Sequence, residues 1–191
     1  MPSLVSLQWA EVFPPRFRHP HRSAEVTHVT DLLDLKANPS RASDPLDVLC
    51  SNTKLLDVAQ VPRLPRWTTP FLPWWREYCH DVSVPLTRNA SRAALVVSAE
   101  PLLVAAYSTD LDCVAMLEFP SFLVAQYGLE VSSRLVTCNG YWVDPEEPID
   151  LRPGPGNTGD WTNFMPVIAD FLTDEIDKVE ARKAQISDEE W

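Results

Sequence analysis

Apolar and polar positions alternate at the start of the chain. Between Leu4 and Phe13, Val5, Leu7, Trp9 and Phe13 fall on one face, with Ser6 and Gln8 opposite. This period of two predicts a half-buried strand, and Glu11 ends it near Ala10. The run PPRFRHPHR follows at 14–22, a basic, proline-punctuated loop or arm that can lie against an acidic surface. Thr30 predicts the cap of a short helix through Lys36. Asp44 before Pro45 predicts a second helix start, an N-cap acceptor followed by proline at the first helical position. That helix runs to Ala59 with a ragged stripe of Leu46, Leu49, Cys50, Leu56 and Val58.

From Val61 to Trp75 the chain reads VPRLPRWTTPFLPWW. Its four prolines exclude a regular helix across the segment and disfavour a central strand. Trp67, Phe71, Leu72, Trp74 and Trp75 give it large aromatic area, which has to cover the domain's own sheet or a partner.

The densest apolar patterning lies between Ala93 and Trp142. Residues 93–97 and 102–107 predict two strands parted by Pro101, and 113–119 the return strand of a hairpin after the turn at 108–112. Phe122 to Tyr127 predicts a two-turn helix with Gly128 at its left-handed C′ position. Glu130 to Cys138 predicts a strand. Asn139-Gly140 predicts a type I′ turn, with Tyr141, Trp142 and Val143 opening the partner strand. An acidic, Pro- and Gly-rich connection leads from Asp144 to Gly159. Trp161, Phe164, Met165, Ile168, Phe171, Leu172, Ile176 and Val179 then recur at three- and four-residue steps, the stripe of a long helix. Thr162 or Asn163 caps it, Pro166 sits in its first turn, and Asp174 can pair with Lys178. Residues 187–191 are expected to fray.

These elements predict one α+β domain: a mostly antiparallel sheet with helices packed on one face and a long C-terminal amphipathic helix. Its parts are an N-terminal strand and helices (1–60), a Pro/Trp-rich covering segment (61–92), the sheet core (93–144), an acidic linker loop (145–160) and the C-terminal helix (161–186). A chain of 191 residues suffices for one ample core.

Charge sharpens this picture. Residues 1–92 hold 11 basic and 9 acidic side chains, 93–143 hold 1 and 5, and 144–191 hold 4 and 13. The net charge of −11 argues against direct binding to nucleic acid, whose phosphates would be repelled. No apolar run reaches the roughly 18–20 residues that span a bilayer, and no basic region precedes a long apolar stretch at the start. A cytoplasmic protein without membrane contact is expected.

The candidate chemistry is thin. Cys50, Cys79, Cys113 and Cys138 are spaced too widely for paired zinc ligands. Cys113 and Cys138 lie in apolar runs and read as buried hydrophobes. Cys79-His80-Asp81 names three triad residue types, but consecutive neighbours do not converge. His19, His21 and His28 lack a further ligand nearby. Asp144, Glu146, Glu147 and Asp150 lack calcium-loop spacing, and Asp110 and Asp112 suit a turn. With five glycines, no phosphate-binding loop is present. No cofactor, metal site or catalytic residue is expected, and the residues match no family pattern.

The reading that follows is a non-catalytic protein-interaction domain, an accessory subunit or an inhibitor or immunity-type protein. Its partner is a protein with a basic surface, or a second copy of the chain. Trp67, Trp74, Trp75 and Arg76 are the expected contacts, with Asp170, Asp174 and Asp177 steering the approach. The alternatives are a small enzyme with a site assembled from distant residues, and an acidic nucleic-acid mimic.

Overall fold

The computed structural model describes residues 6–8, 45–59, 73–143 and 151–191, with the backbone alone at 6–8, 73, 74, 76 and 77. The expected arm at 14–22, the helix at 30–36, the histidines His19, His21 and His28, the segment 61–72 and the carboxylates at 144–150 lie outside these residues.

The elements are β1 (Ser6–Gln8), α1 (Asn52–Val58), α2 (Pro73–Arg88), β2 (Ser91–Ala99), β3 (Leu102–Ser108), β4 (Cys113–Phe119), α3 (Phe122–Tyr127), β5 (Arg134–Trp142), β6 (Asn163–Ile168), a 3-10 turn at Ala169–Phe171 and α4 (Ile176–Lys183). The strands form one sheet in the order β1-β4-β3-β2-β5-β6, antiparallel except where β1 meets β4. The fold is α+β, as the sequence predicts.

The meander β2–β3–β4 follows its hydrophobic pattern. Leu102, Val104, Ala106 and Ser108 are buried, and the residues between them are half-exposed. A two-residue connection, Glu100 and Pro101 with a cis peptide, joins β2 to β3. Residues 109–112 turn the chain into β4, whose Cys113 faces Ser108. Gly128 closes α3 at φ 61 and ψ 40, the left-handed conformation that glycine adopts without a Cβ penalty.

Three expectations give way. Asn139-Gly140 makes no turn. β5 runs straight through it, paired with β2 on one side and β6 on the other. A strand buried between two neighbours satisfies its backbone on both sides. The Asn139 side chain, wholly buried, serves as a polar bridge. Tyr141 and Trp142 continue β5, and its partner comes from 163–168.

That pairing overturns the long C-terminal helix. Phe164, Pro166 and Ile168 lie on one side of β6 and Val167 on the other, all buried. Apolar residues on both faces of a short strand mimic a helical stripe. Pro166 is acceptable there because β6 is an edge strand. Only Ile176–Lys183 is α-helical in this region.

Pro45 starts no helix either. It bridges Ala90, and Leu46 and Val48 point inward while Asp47 and Leu49 are exposed. The helix begins after Ser51, whose N–H donates to the Leu172 carbonyl at 2.7 Å. Within the covering segment, Pro73 occupies the first position of α2, where its missing N–H costs nothing. Cys79, His80 and Asp81 lie on this helix.

The sheet is unevenly covered. The face carrying Ala94, Val96, Val104, Ala106, Leu117 and Leu135 is buried. On the opposite face, Pro85 of α2 approaches Gly140, and Arg182 of α4 bonds Ser91. Ser91 pairs with Cys138, so both helices meet the sheet on this side, over β5. Farther along it, Val97 and Val114 are 43% and 56% exposed, so covering stops short of β4.

Candidate functional site

Of the expected contact residues, the structure describes the side chains of Trp75, Asp170, Asp174 and Asp177. Trp75 is 3% exposed and packs at 5.5 Å from the Tyr78 ring, inside the core. The side chains of Trp74 and Arg76, and all of Trp67, lie outside the described residues. Asp170 is 7% exposed. It accepts the Val136 N–H at 2.8 Å and pairs with Lys183 at 2.6 Å. Burial pushes Asp170 above the usual carboxylate range even though Lys183 opposes the shift. Lys183 is itself held up, because Asp170 and Glu180 together outweigh its burial. A buried, fully engaged carboxylate cannot steer a partner. Trp75 and Asp170 are therefore structural.

Asp174 and Asp177 are exposed. Asp174 lies 3.5 Å from Lys54, which also donates to the Thr173 carbonyl and sits 5.6 Å over the Tyr127 ring. Glu180, Asp188 and Glu189 are exposed too, so α4 and the residues after it carry a cluster of carboxylates. Lys178 and Lys183 offset part of that charge through Glu175 at 2.7 Å and Glu180 at 2.8 Å.

A second cluster is formed where β2 and β3 part. Their pairing runs from Ala99–Leu102 back to Ala94–Ala106 and stops. β2 continues along β5 to Ser91, and β3 along β4 to Ser108. The next rung would join Ala93 to Tyr107. Instead the Ala93 N–H donates to Glu190 Oε1 at 2.9 Å, and the Tyr107 carbonyl accepts Asn139 Nδ2 at 2.7 Å. Side chains thus replace main-chain partners on both banks of the opening.

A hydrogen-bond chain lines it. Thr137 Oγ1 donates to Asn139 Oδ1 at 2.8 Å, and Asn139 Nδ2 also reaches Tyr141 Oη at 3.2 Å. Tyr141 Oη and Ser108 Oγ lie 3.0 Å apart, and Ser108 Oγ accepts the Leu111 N–H at 3.2 Å. Arg92 Nε donates to Thr109 Oγ1 at 3.1 Å. Burial pushes the Tyr141 hydroxyl up to about 12, despite its bonds to Ser108 and Asn139. It stays protonated at neutral pH, so this chain can orient a polar ligand but offers no phenolate base. The Asn-Gly turn expected at 139–140 hides these residues in the sequence. The available signal was polar Thr137, Asn139 and Tyr141 recurring every second position beside Leu135.

Cys79 sits away from the opening between β2 and β3, on α2. Its Sγ lies 3.5 Å from Asn52 Oδ1, and burial raises its pKa. His80 and Asp81 are exposed at consecutive positions of α2. Burial also lifts the Cys50 thiol to about 12, with Cys79 adding to the shift. No metal-holding group of three His, Cys, Asp or Glu side chains occurs among the described residues. No protein-family model, curated protein or solved structure matches the chain.

Proposed function

We propose that this chain is a non-catalytic protein-interaction domain, an accessory subunit or an inhibitor or immunity-type protein that docks on the basic surface of a partner. The exposed carboxylates of Asp174, Asp177, Glu180, Asp188 and Glu189 support this reading most directly. Local lysines offset only part of them, in a molecule of net charge −11. Such a field speeds encounter with a basic surface more than it deepens affinity. Trp67, Trp74 and Arg76 remain the proposed anchors, since large aromatics and arginine dominate interface energetics. Trp75 leaves that set because it fills the core.

The test is capture of partners from native lysate at low and high salt, with the unaltered chain and with Asp177→Lys/Glu189→Lys. A stoichiometric basic partner is expected at low salt and is lost at high salt. Its association rate should fall by about tenfold or more in the reversed variant. A partner indifferent to both salt and charge reversal would sink the reading.

A further inference from the structure

We propose that the opening between β2 and β3 is a recognition site for an acidic–aromatic peptide, and that residues 187–191 of this chain, Ser-Asp-Glu-Glu-Trp, occupy it as a displaceable strap. The site does not depend on the basic-partner reading, because it takes ligands of the opposite charge.

The strap is docked rather than frayed. Ile186, just before it, is 6% exposed. Glu190 Oε1 takes the Ala93 N–H that β3 leaves without a rung. Arg134 Nη2 holds Asp188 Oδ1 at 2.9 Å, and the same guanidinium lies 4.9 Å over the Trp191 ring. Three consecutive features of a peptide are therefore read at once: a first carboxylate, a second carboxylate and an indole. Arg92 adds positive charge beside the opening. Tyr107, on the opposite bank, has its hydroxyl lifted by burial, then by Asp112 and Glu190, with Arg92 opposing. A main-chain donor bared by parted strands is the element that β-strand addition uses, here met by a carboxylate.

The fit in place is incomplete. Trp191 Nε1 is buried with no hydrogen-bond partner among the described residues, although buried indole N–H groups usually find one. The Arg134–Asp188 pair is open to solvent, with side chains 50% and 89% exposed, and exposed pairs hold weakly. A ligand that satisfied the indole or placed its carboxylates more deeply would displace the strap.

The probe is the peptide acetyl-Ser-Asp-Glu-Glu-Trp-amide with a fluorescent label, titrated into the full chain and into full-length Glu190→Ala/Trp191→Ala. Anisotropy reads binding, and amide hydrogen exchange reads Ala93. The unaltered chain should bind weakly and protect Ala93. The double variant should lose that protection, bind the peptide about tenfold more tightly and regain protection when it binds. Adding Arg134→Ala to the double variant should abolish binding, and a Ser-Lys-Lys-Lys-Trp peptide should not bind. Glu190→Gln, which keeps the side-chain shape, provides a milder release of Ala93 if the double variant loses its amide dispersion. No peptide binding by a folded variant, or binding that leaves Ala93 unprotected, overturns the proposal. So does a dimer of the unaltered chain that disappears in Glu190→Ala, which would assign the opening to the strap of a second copy.

Discussion

Two single positions carry definite energetic weight. Trp75 combines a large ring with near-complete burial. Trp75→Ala should destabilise the protein by about 3–5 kcal/mol in urea unfolding, the cost of emptying an aromatic site in a packed core. A loss below about 1 kcal/mol would return this ring to the surface set. Gly154 is constrained differently. Its N–H bonds the Leu111 carbonyl at 2.9 Å, and a Cβ there would overlap the Asp112 carbonyl oxygen and carboxylate. The Asp112 carboxylate in turn accepts the Gly156 N–H at 2.9 Å. Gly154→Ala should push residues 154–156 off the β3–β4 turn and cost about 1–3 kcal/mol, the usual range for overpacking. Gly128→Ala tests a separate quantity, since nothing lies near its Cβ position and only the positive φ resists. The sequence announced Gly128 through the apolar run before it. It could not announce Gly154, whose requirement comes from a turn some forty residues away.

Elements explain where sequence reading succeeds. α3 and the β3–β4 hairpin are read correctly because each is closed by local contacts: Leu129 N–H on Val124 O, and Cys113 opposite Ser108. The strand at 130–138 is legible as the first half of β5, but its run through Asn139-Gly140 and the whole of β6 are not, because their partners are distant in sequence and both their faces are covered. Alternation, the usual mark of a strand, is lost when neither face meets water. α4 is short, and its hold on the rest of the molecule titrates. Glu175 accepts the Leu49 N–H at 2.7 Å and pairs with Lys178, which donates to the Asp47 carbonyl at 2.8 Å. The bonds from Lys178 and Leu49 hold the Glu175 carboxyl below its ordinary 4.5. A lowered folded value means that this stabilisation is whole above 4.5 and is lost as pH falls through the folded value. The Leu49 protection factor should therefore begin to fall as pH drops below that range, while amides in β3 and β4 keep theirs. Glu175→Gln should leave the Leu49 protection factor, exchange relative to an unstructured amide at the same pH, flat with pH. A pH response that survives in that variant would assign it to another carboxylate.

At the scale of the whole molecule, burial decides which chemistry is silent. Cys50 and Cys138 are lifted to about 12 and Cys113 to about 11, burial being the largest cause in each, and Cys79 is raised by burial as well. Almost no thiolate is present at neutral pH. Reaction with a chromogenic disulfide at pH 7.5 should be slow for all four thiols in the native protein and fast in denaturant. A thiol that reacts within seconds in the native state would reopen the nucleophile reading. The core belongs to β5, which touches α2, α4 and both neighbouring strands, while the outer side of β4 keeps Val114 in water. On the face that carries Val97 and Val114, covering is thus concentrated toward β5.

The edge at β6 has a consequence for the protein in acid. Its outward main-chain donors at 164 and 166 are already spent or missing. The Phe164 N–H donates to the side chain of Asn163 at 2.8 Å, and two residues on, the next outward position is Pro166, which has no N–H. While the carboxylates are ionised, repulsion between copies hides this feature. Once acid neutralises them, copies can approach, yet β6 offers a further strand no free N–H at 164 or 166. Material that comes out of solution at this edge should be amorphous and silent to an amyloid dye. Asn163→Ala/Pro166→Val restores two donors in a row, and the same acid step should then yield ordered fibres.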